Sequence, residues 1–266
     1  MEKKIIFFDI DGTLVEESKN YVYPSNITAI RQAQANGHLC FINTGRPISS
    51  IADSLKEIGF DGMICGCGTY IEYQGKELLY HHLDPKRVKE IMQWCEDKDF
   101  DLFFEGRYGI LLPKITKGKI GAEFKEYFLA SEIITAKEYD PYGEEEYYTD
   151  KMMVKYYSGK DLDDLAKFLE KDFDIIDRGQ NMWEIVPKHY SKASGIDEII
   201  SYLGMELKDT VSIGDSTNDV PMLEHTGISV LMGNGTEFLK EMVTYVTDTL
   251  ENDGVMKALQ HFGMIE

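Results

Sequence analysis

Ile5-Ile6-Phe7-Phe8-Asp9-Ile10-Asp11-Gly12-Thr13 begins as an uninterrupted apolar run and stops on two carboxylates. Such a run, with no polar alternation, suits a strand buried on both faces, as in a parallel sheet. The same pattern returns along the chain. Leu39-Cys40-Phe41-Ile42 stops at Asn43-Thr44-Gly45, Val211-Ser212-Ile213-Gly214 at Asp215, and Ile228-Ser229-Val230-Leu231-Met232 at Gly233-Asn234. Helical patterns lie between them. Ser25 is placed to cap a helix carrying Ile27, Ile30 and Ala33, which Gly37 ends. Ile48, Ile51, Leu55 and Ile58 form the stripe of a second helix before Gly59, and Ile196, Ile199, Ile200 and Leu203 that of a third before Gly204. Strand, helix, strand with short connections predicts an α/β fold, a doubly wound, Rossmann-like parallel sheet. Ligands of such sheets bind beyond the carboxyl ends of the strands, where these polar residues fall.

The middle of the chain reads differently. Leu102-Phe103-Phe104, the turn Glu105-Gly106-Arg107 and Tyr108 to Leu112 look like a hairpin. A helix bearing Leu162, Leu165 and Leu169 precedes Phe173 to Ile176, a turn at Arg178-Gly179-Gln180-Asn181, and Met182 to Val186. Strands adjacent in sequence, with helices on one face, predict an inserted α+β domain. The expected division is a core of residues 1–82 and 187–266 around an insert of residues 83–186.

Composition narrows the function. The chain has 266 residues, 43% of them hydrophobic, which excludes a disordered protein. A formal charge of −19 argues against nucleic acid as the main partner, because no basic excess is present to displace counterions. No apolar run is long enough for a signal peptide or a bilayer span, so a cytoplasmic protein away from membranes is expected. Cys40, Cys65, Cys67 and Cys95 lack paired metal spacing and read as buried free thiols.

Asp9 and Asp11, two apart at a strand end and followed by Gly12, offer hard oxygen ligands on a tight turn, as Mg²⁺ prefers. Alone, the pair reads better as a plain strand-ending Asx turn. Gly214-Asp215-Ser216-Thr217-Asn218-Asp219 follows another apolar strand and leads to Pro221, a plausible first-turn helix residue. Asp215 and Asp219 could approach one ion, directly or through water, or simply cap that helix. Thr44, with Gly45 and Arg46, lies between a strand and a helix, where a hydroxyl and backbone N–H groups can hold phosphate oxygens. Lys192 stands just ahead of a helix beginning near Ser194, a suitable place for a point charge on phosphate. If Asp9, Asp11, Asp215 and Asp219 converge, each like-charge pair costs on the order of 4 kcal/mol at 4 Å. A phosphate dianion then needs a divalent ion and Lys192 to enter, and Asp9 becomes a credible nucleophile.

The ordered set Asp-Ile-Asp-Gly-Thr, Asn-Thr-Gly-Arg-Pro, a later Lys and Gly-Asp-Ser-Thr-Asn-Asp resembles the haloacid dehalogenase (HAD) superfamily, in its Cof-type class IIB branch with a large α+β cap. The likeness extends to Ser229 through Asn234 and to Glu251-Asn252-Asp253-Gly254-Val255. The resemblance implies a Mg²⁺-dependent phosphatase acting on a small phosphorylated metabolite of the sugar phosphate, pyridoxal phosphate or flavin mononucleotide class. It implies Asp9 as nucleophile forming an aspartyl-phosphate, Asp11 as general acid then base, Thr44 binding the phosphoryl group, and Lys192 neutralising it. Asp215 would bind Mg²⁺ with Asp9 and the Asp11 backbone carbonyl, Asp219 would orient the metal shell, and Asn218 would sit near the phosphate or Lys192. Gly45 and Arg46 belong to the implied phosphate site. Cys67-Gly68-Thr69 departs from the Asn-Gly-Ala often found there, as does Ala193 from a Gly after the lysine. A phosphotransferase or mutase is the nearest alternative. A signalling receiver domain, which also sets acids, Mg²⁺, Thr and Lys around a phosphoaspartate, is a third.

Elsewhere plain structural roles are expected. Phe103, Phe104, Tyr108, Tyr147, Tyr148, Tyr156 and Tyr157 read as insert core, Glu144-Glu145-Glu146 as a solvated loop, and His81-His82 as surface.

Overall fold

The computed structural model describes residues 2–16, 21–132 and 134–266. The chain divides into two compact units. One comprises Met1–Gly45, Ala52–Leu79 and Ser191–Glu266, the other Arg46–Ile51 and Tyr80–Tyr190.

The first unit is built on an eight-stranded sheet. Its order is Tyr245–Val246, Ile228–Leu231, Thr210–Gly214, Ile5–Phe8, Leu39–Asn43, Gly62–Cys65, Tyr70–Tyr73, Lys76–Tyr80. The central pairings are parallel, with Ile5 facing Thr210 on one side and Leu39 on the other. Every residue of Ile5–Phe8, Leu39–Asn43 and Thr210–Gly214 is buried, as the continuous apolar runs require. Ile5, Phe7, Phe41 and Ile64 pack with Ile196 and Ile199 of the helix Lys192–Leu203 and with Met222 and Leu223 of the helix Val220–His225. The opposite face meets the helix Pro24–Ala35, where the Cys40 thiol reaches the Ile30 carbonyl. Each large apolar side chain so buried contributes about 1.5–3 kcal/mol. The sheet is doubly wound, as expected.

Two helix expectations need correction. The first helix starts at Pro24 after an uncapped Tyr23, so Ser25 lies inside the first turn. Proline's fixed φ suits the first helical position, and this outweighs a side-chain cap. The stripe from Ile48 to Ile58 is not one helix. A 3₁₀ turn, Ile48–Ser50, gives way to extended backbone at Ile51 and Ala52 before the short helix Asp53–Lys56. Ser49 Oγ donates to the Gly106 carbonyl at 2.6 Å, so the first half is held by the second unit's sheet.

The second unit carries a six-stranded sheet in the order Ala136–Glu138, Gly109–Leu112, Phe100–Gly106, Lys151–Tyr156, Met182–Pro187, Phe173–Asp177. All its pairings are antiparallel except that of Ala136–Glu138 with Gly109–Leu112. Helices cover both faces, not one. Phe100, Leu102, Phe104, Met152 and Val154 pack with Val88, Ile91, Leu165 and Leu169 of the helices Pro85–Cys95 and Leu162–Leu169. Phe103, Ile110 and Leu112 point the other way and meet Phe124 and Phe128 of the helix Lys119–Ala130. The alternation of Leu102, Phe103 and Phe104 shows the reason, because adjacent strand residues face opposite sides and both sides here are apolar. Tyr147 is buried, whereas Tyr108 and Tyr148 are 69% and 42% exposed and leave the expected core. His81 is half-buried, stacked on Tyr190 at 4.4 Å. All four cysteines are buried, and none forms a disulfide among the described residues. Among the described residues, no helix is long and apolar enough to cross a membrane.

Candidate active site

Parallel register places the site. Phe8 pairs with Ile213, so the next residues of these strands emerge at the same sheet edge. The Asp9 N–H donates to the Ile213 carbonyl at 3.0 Å, beside the loop that begins at Asp215. Carboxylate oxygens of Asp9, Asp215 and Asp219 all lie within 4.8 Å of one another. Gly12 closes the turn at φ +79°, a conformation that favours glycine, and a Cβ there would fall 2.3 Å from Asp215 Oδ2. The turn is seated directly on Asp215.

Asp219 is fully engaged. Its Oδ2 accepts from the Asp215 and Ser216 N–H groups at 2.8 and 3.0 Å, and its Oδ1 accepts from Lys192 Nζ at 2.5 Å. The same ammonium donates to Asp9 Oδ1 at 2.5 Å. Lys192 is 1% exposed and is the first residue of its helix rather than a residue ahead of it. Several features fix it there. Ser191 and Ser194 form a reciprocal capping box. Asn43 Nδ2 donates to the Lys192 carbonyl at 3.0 Å. Gly68, at φ +94°, lets its loop approach the Ser191 carbonyl, which a Cβ would meet at 2.4 Å.

The electrostatics are those of a site short of positive charge. Burial, then Asp219, push the Asp9 carboxyl up to about 7 against the opposing pull of Lys192. Burial, then Asp9, push Asp215 up to about 8. Burial alone would lower the Lys192 ammonium, but Asp219 and Asp9 hold it well above its ordinary value. Asp215 Oδ1 is buried and has no hydrogen-bond partner among the described residues. An orphaned carboxylate oxygen beside two other acids, with a single ammonium among them, fits a hard divalent cation, and such a cluster can hold a metal ion.

The Asp11 carboxylate is not one of the three grouped oxygen donors, though it is near enough to raise both Asp9 and Asp215. Thr44 is buried, with its N–H donating to the Ile64 carbonyl and its own carbonyl accepting from the Cys67 N–H. Gly45 ends that segment of the first unit, and Arg46 opens a segment of the second. Asn218 is buried, its Oδ1 accepting from Ser216 Oγ at 2.7 Å. Cys67 adopts φ 56°, ψ 39°, a left-handed conformation that asparagine tolerates better. Sequence reading gave no role to Asn43, Gly68 or the Ser191–Ser194 box. Only the Ser-x-x-Ser spacing ahead of an apolar run could have signalled the last.

The family model of haloacid dehalogenase-like hydrolases matches residues 6–259. Phosphatase YwpJ of Bacillus subtilis (strain 168) is 25% identical over 97% of this chain and 99% of its own. The 5-amino-6-(5-phospho-D-ribitylamino)uracil phosphatase YcsE of the same organism is 28% identical over 97% of this chain and 95% of its own. Among solved structures, the HAD subclass IIB sugar phosphatase BT4131 is 29% identical with a TM-score of 0.83, covering 99% of this chain and 100% of its own.

Proposed function

Because the chain belongs to the haloacid dehalogenase-like hydrolases, in their Cof-type branch, and is a phosphatase, we propose that it is a Mg²⁺-dependent enzyme hydrolysing a small phosphorylated metabolite through an aspartyl-phosphate on Asp9. The observation that carries this reading is the buried Lys192 ammonium held 2.5 Å from both Asp9 and Asp219 beside the orphaned Asp215 oxygen. Asp9, Asp219 and the half-buried Asp215 around the Lys192 ammonium leave an excess of negative charge that a metal-free protein gains nothing by keeping.

In this reading an Asp9 oxygen attacks phosphorus, forming the acyl phosphate as the bond to the leaving oxygen breaks. Asp11 gives its proton to that oxygen, then takes one from the water that hydrolyses the acyl phosphate. General acid–base work of this kind contributes typically 10²–10⁴-fold. Lys192 keeps Asp9 ionised and neutralises the transferring group, Thr44 and the Gly45 backbone hold phosphate oxygens with Arg46, and Asn218 stands beside them. Asp9, Asp215 and the Asp11 backbone carbonyl would hold Mg²⁺, with Asp219 orienting its shell, and the ion would offset the charge of the phosphoryl group. Asp219 suits that outer position because both its oxygens are already bonded.

These residues handle only phosphate, so the leaving group must be read elsewhere. We assign that task to the second unit, which supplies none of the carboxylates. The names of YcsE and BT4131 support small substrates of the sugar phosphate or flavin-related kind. A phosphate-release screen over sugar phosphates, pyridoxal phosphate and flavin mononucleotide, with Mg²⁺ and with excess EDTA, tests the reading. Mg²⁺-dependent release from at least one is expected. Full turnover in EDTA after removal of tightly held metal would overturn it.

A further inference from the structure

We propose that Asn234 is a positioning residue for Asp11, acting through the Gly12 carbonyl, a role that rests on reading Asp11 as the general acid. The Asp11-Gly12-Thr13 turn is not fixed by its own sterics. Gly12 sits at φ +79° and, lacking a Cβ, is not locked there sterically, so hydrogen bonds must hold it; the Thr13, Leu14 and Val15 N–H groups secure the base of the turn on the Ile10 carbonyl. Its N–H turns inward to the Val15 carbonyl at 3.0 Å. Its carbonyl accepts from Asn234 Nδ2 at 2.8 Å, from a loop more than two hundred residues away in sequence.

The amide cannot turn round. Asn234 Oδ1 accepts from the Leu250 N–H at 2.9 Å, so the NH₂ end must face Gly12. Two neighbours anchor this loop in turn. The Gly233 N–H donates to the Asp248 carbonyl at 3.0 Å, and the Thr236 N–H donates to the Asp215 carbonyl at 2.8 Å. One short loop therefore ties the turn bearing Asp11 to the loop bearing Asp215. Asn234 is itself exposed, where an asparagine ordinarily contributes little, yet both ends of its amide are used. The bond restrains the peptide next to Asp11, and a proton donor displaced by about 1 Å can lose on the order of 10²-fold in rate.

The test is the dependence of kcat/KM on the leaving group in a series of aryl phosphates, which reports the step in which Asp11 donates its proton. Asn234→Ala should lose about 10-fold with phenyl phosphate but about 2-fold or less with p-nitrophenyl phosphate, whose leaving group needs little protonation. Asn234→Asp is nearly isosteric and keeps the Leu250 bond, but sets an acceptor against the Gly12 carbonyl and should lose more. Asn252→Ala loosens the neighbouring turn that presents the Leu250 N–H to Asn234, by removing its 2.9 Å bond to Thr249 Oγ1 without touching Gly12, and should leave the slope unchanged. A uniform loss across the series, no loss, or an equal slope change in Asn252→Ala would overturn the proposal. Failure of the underlying reading looks different. In that case Asp11→Asn would itself keep the wild-type leaving-group slope, and the role of Asn234 would fall with it.

Discussion

Asp215→Asn should stabilise the metal-free protein at pH 8 and do almost nothing near pH 4. The Asp215 carboxyl rises from 3.8 to about 8 on folding, chiefly through burial and then through Asp9. A carboxyl with a raised folded-state value contributes stability that is complete below its unfolded value and is lost as pH rises through the folded one. The loss therefore runs from about pH 4 to about pH 8. At about 1.4 kcal/mol per unit the full shift would be worth about 6 kcal/mol. Asp215 is only half-buried, so solvent screens part of this, and we expect about 2–3 kcal/mol. For a chain of this size that is a rise in Tm of roughly 5–10 °C. The assay is thermal unfolding of wild type and variant in EDTA at pH 4.5, 6 and 8, repeated with Mg²⁺. With Mg²⁺ the order should reverse at pH 8, because the wild type alone gains a ligand for the ion. Equal stability of the two proteins at every pH in EDTA would refute the claim that these carboxylates are folded against their own repulsion.

Lys192→Ala should lower turnover by about 10²–10³, as expected for one preorganised charge. It should also destabilise the metal-free fold at pH 8 by about 3–5 kcal/mol, since Asp9 and Asp219 would be left buried without their cation; near-wild-type kinetics would return Lys192 to a structural role. Exchanging the residues from Tyr80 to Tyr190 for those of a related cap should change the preferred substrate while Mg²⁺ dependence persists. An unchanged substrate profile would remove leaving-group recognition from the second unit.

The sheet and most of the acidic cluster were legible in the sequence for one physical reason. A strand buried on both faces must be apolar throughout, so its end is marked by the first polar residue, and parallel register then gathers those ends at one edge. Ile5–Phe8 and Thr210–Gly214 bring Asp9 and Asp215 together in this way. Periodicity misled where tertiary contacts decide. Ile48 to Ile58 keeps a helical stripe, but the chain breaks at Ile51 because its first half belongs to the second unit, where Ser49 is bonded to Gly106, while Ala52 onward belongs to the first. The helix Lys119–Ala130 was hidden for a related reason, since two apolar faces on Phe100–Gly106 look in sequence like one continuous run. Asn43, Gly68 and Asn234 act through backbone carbonyls of distant residues, and no local pattern records such partners.

The central claim is that phosphorus is attacked by Asp9 and that Asp11 serves both proton transfers. Rapid-quench trapping of Asp11→Asn with p-nitrophenyl phosphate, followed by peptide mass spectrometry, tests it most directly. The leaving group hardly needs Asp11, whereas hydrolysis of the acyl phosphate does, so phosphate should accumulate on Asp9, and Asp9→Asn should trap none. Phosphate on another aspartate, or rapid hydrolysis with Asp11 replaced, would contradict the account.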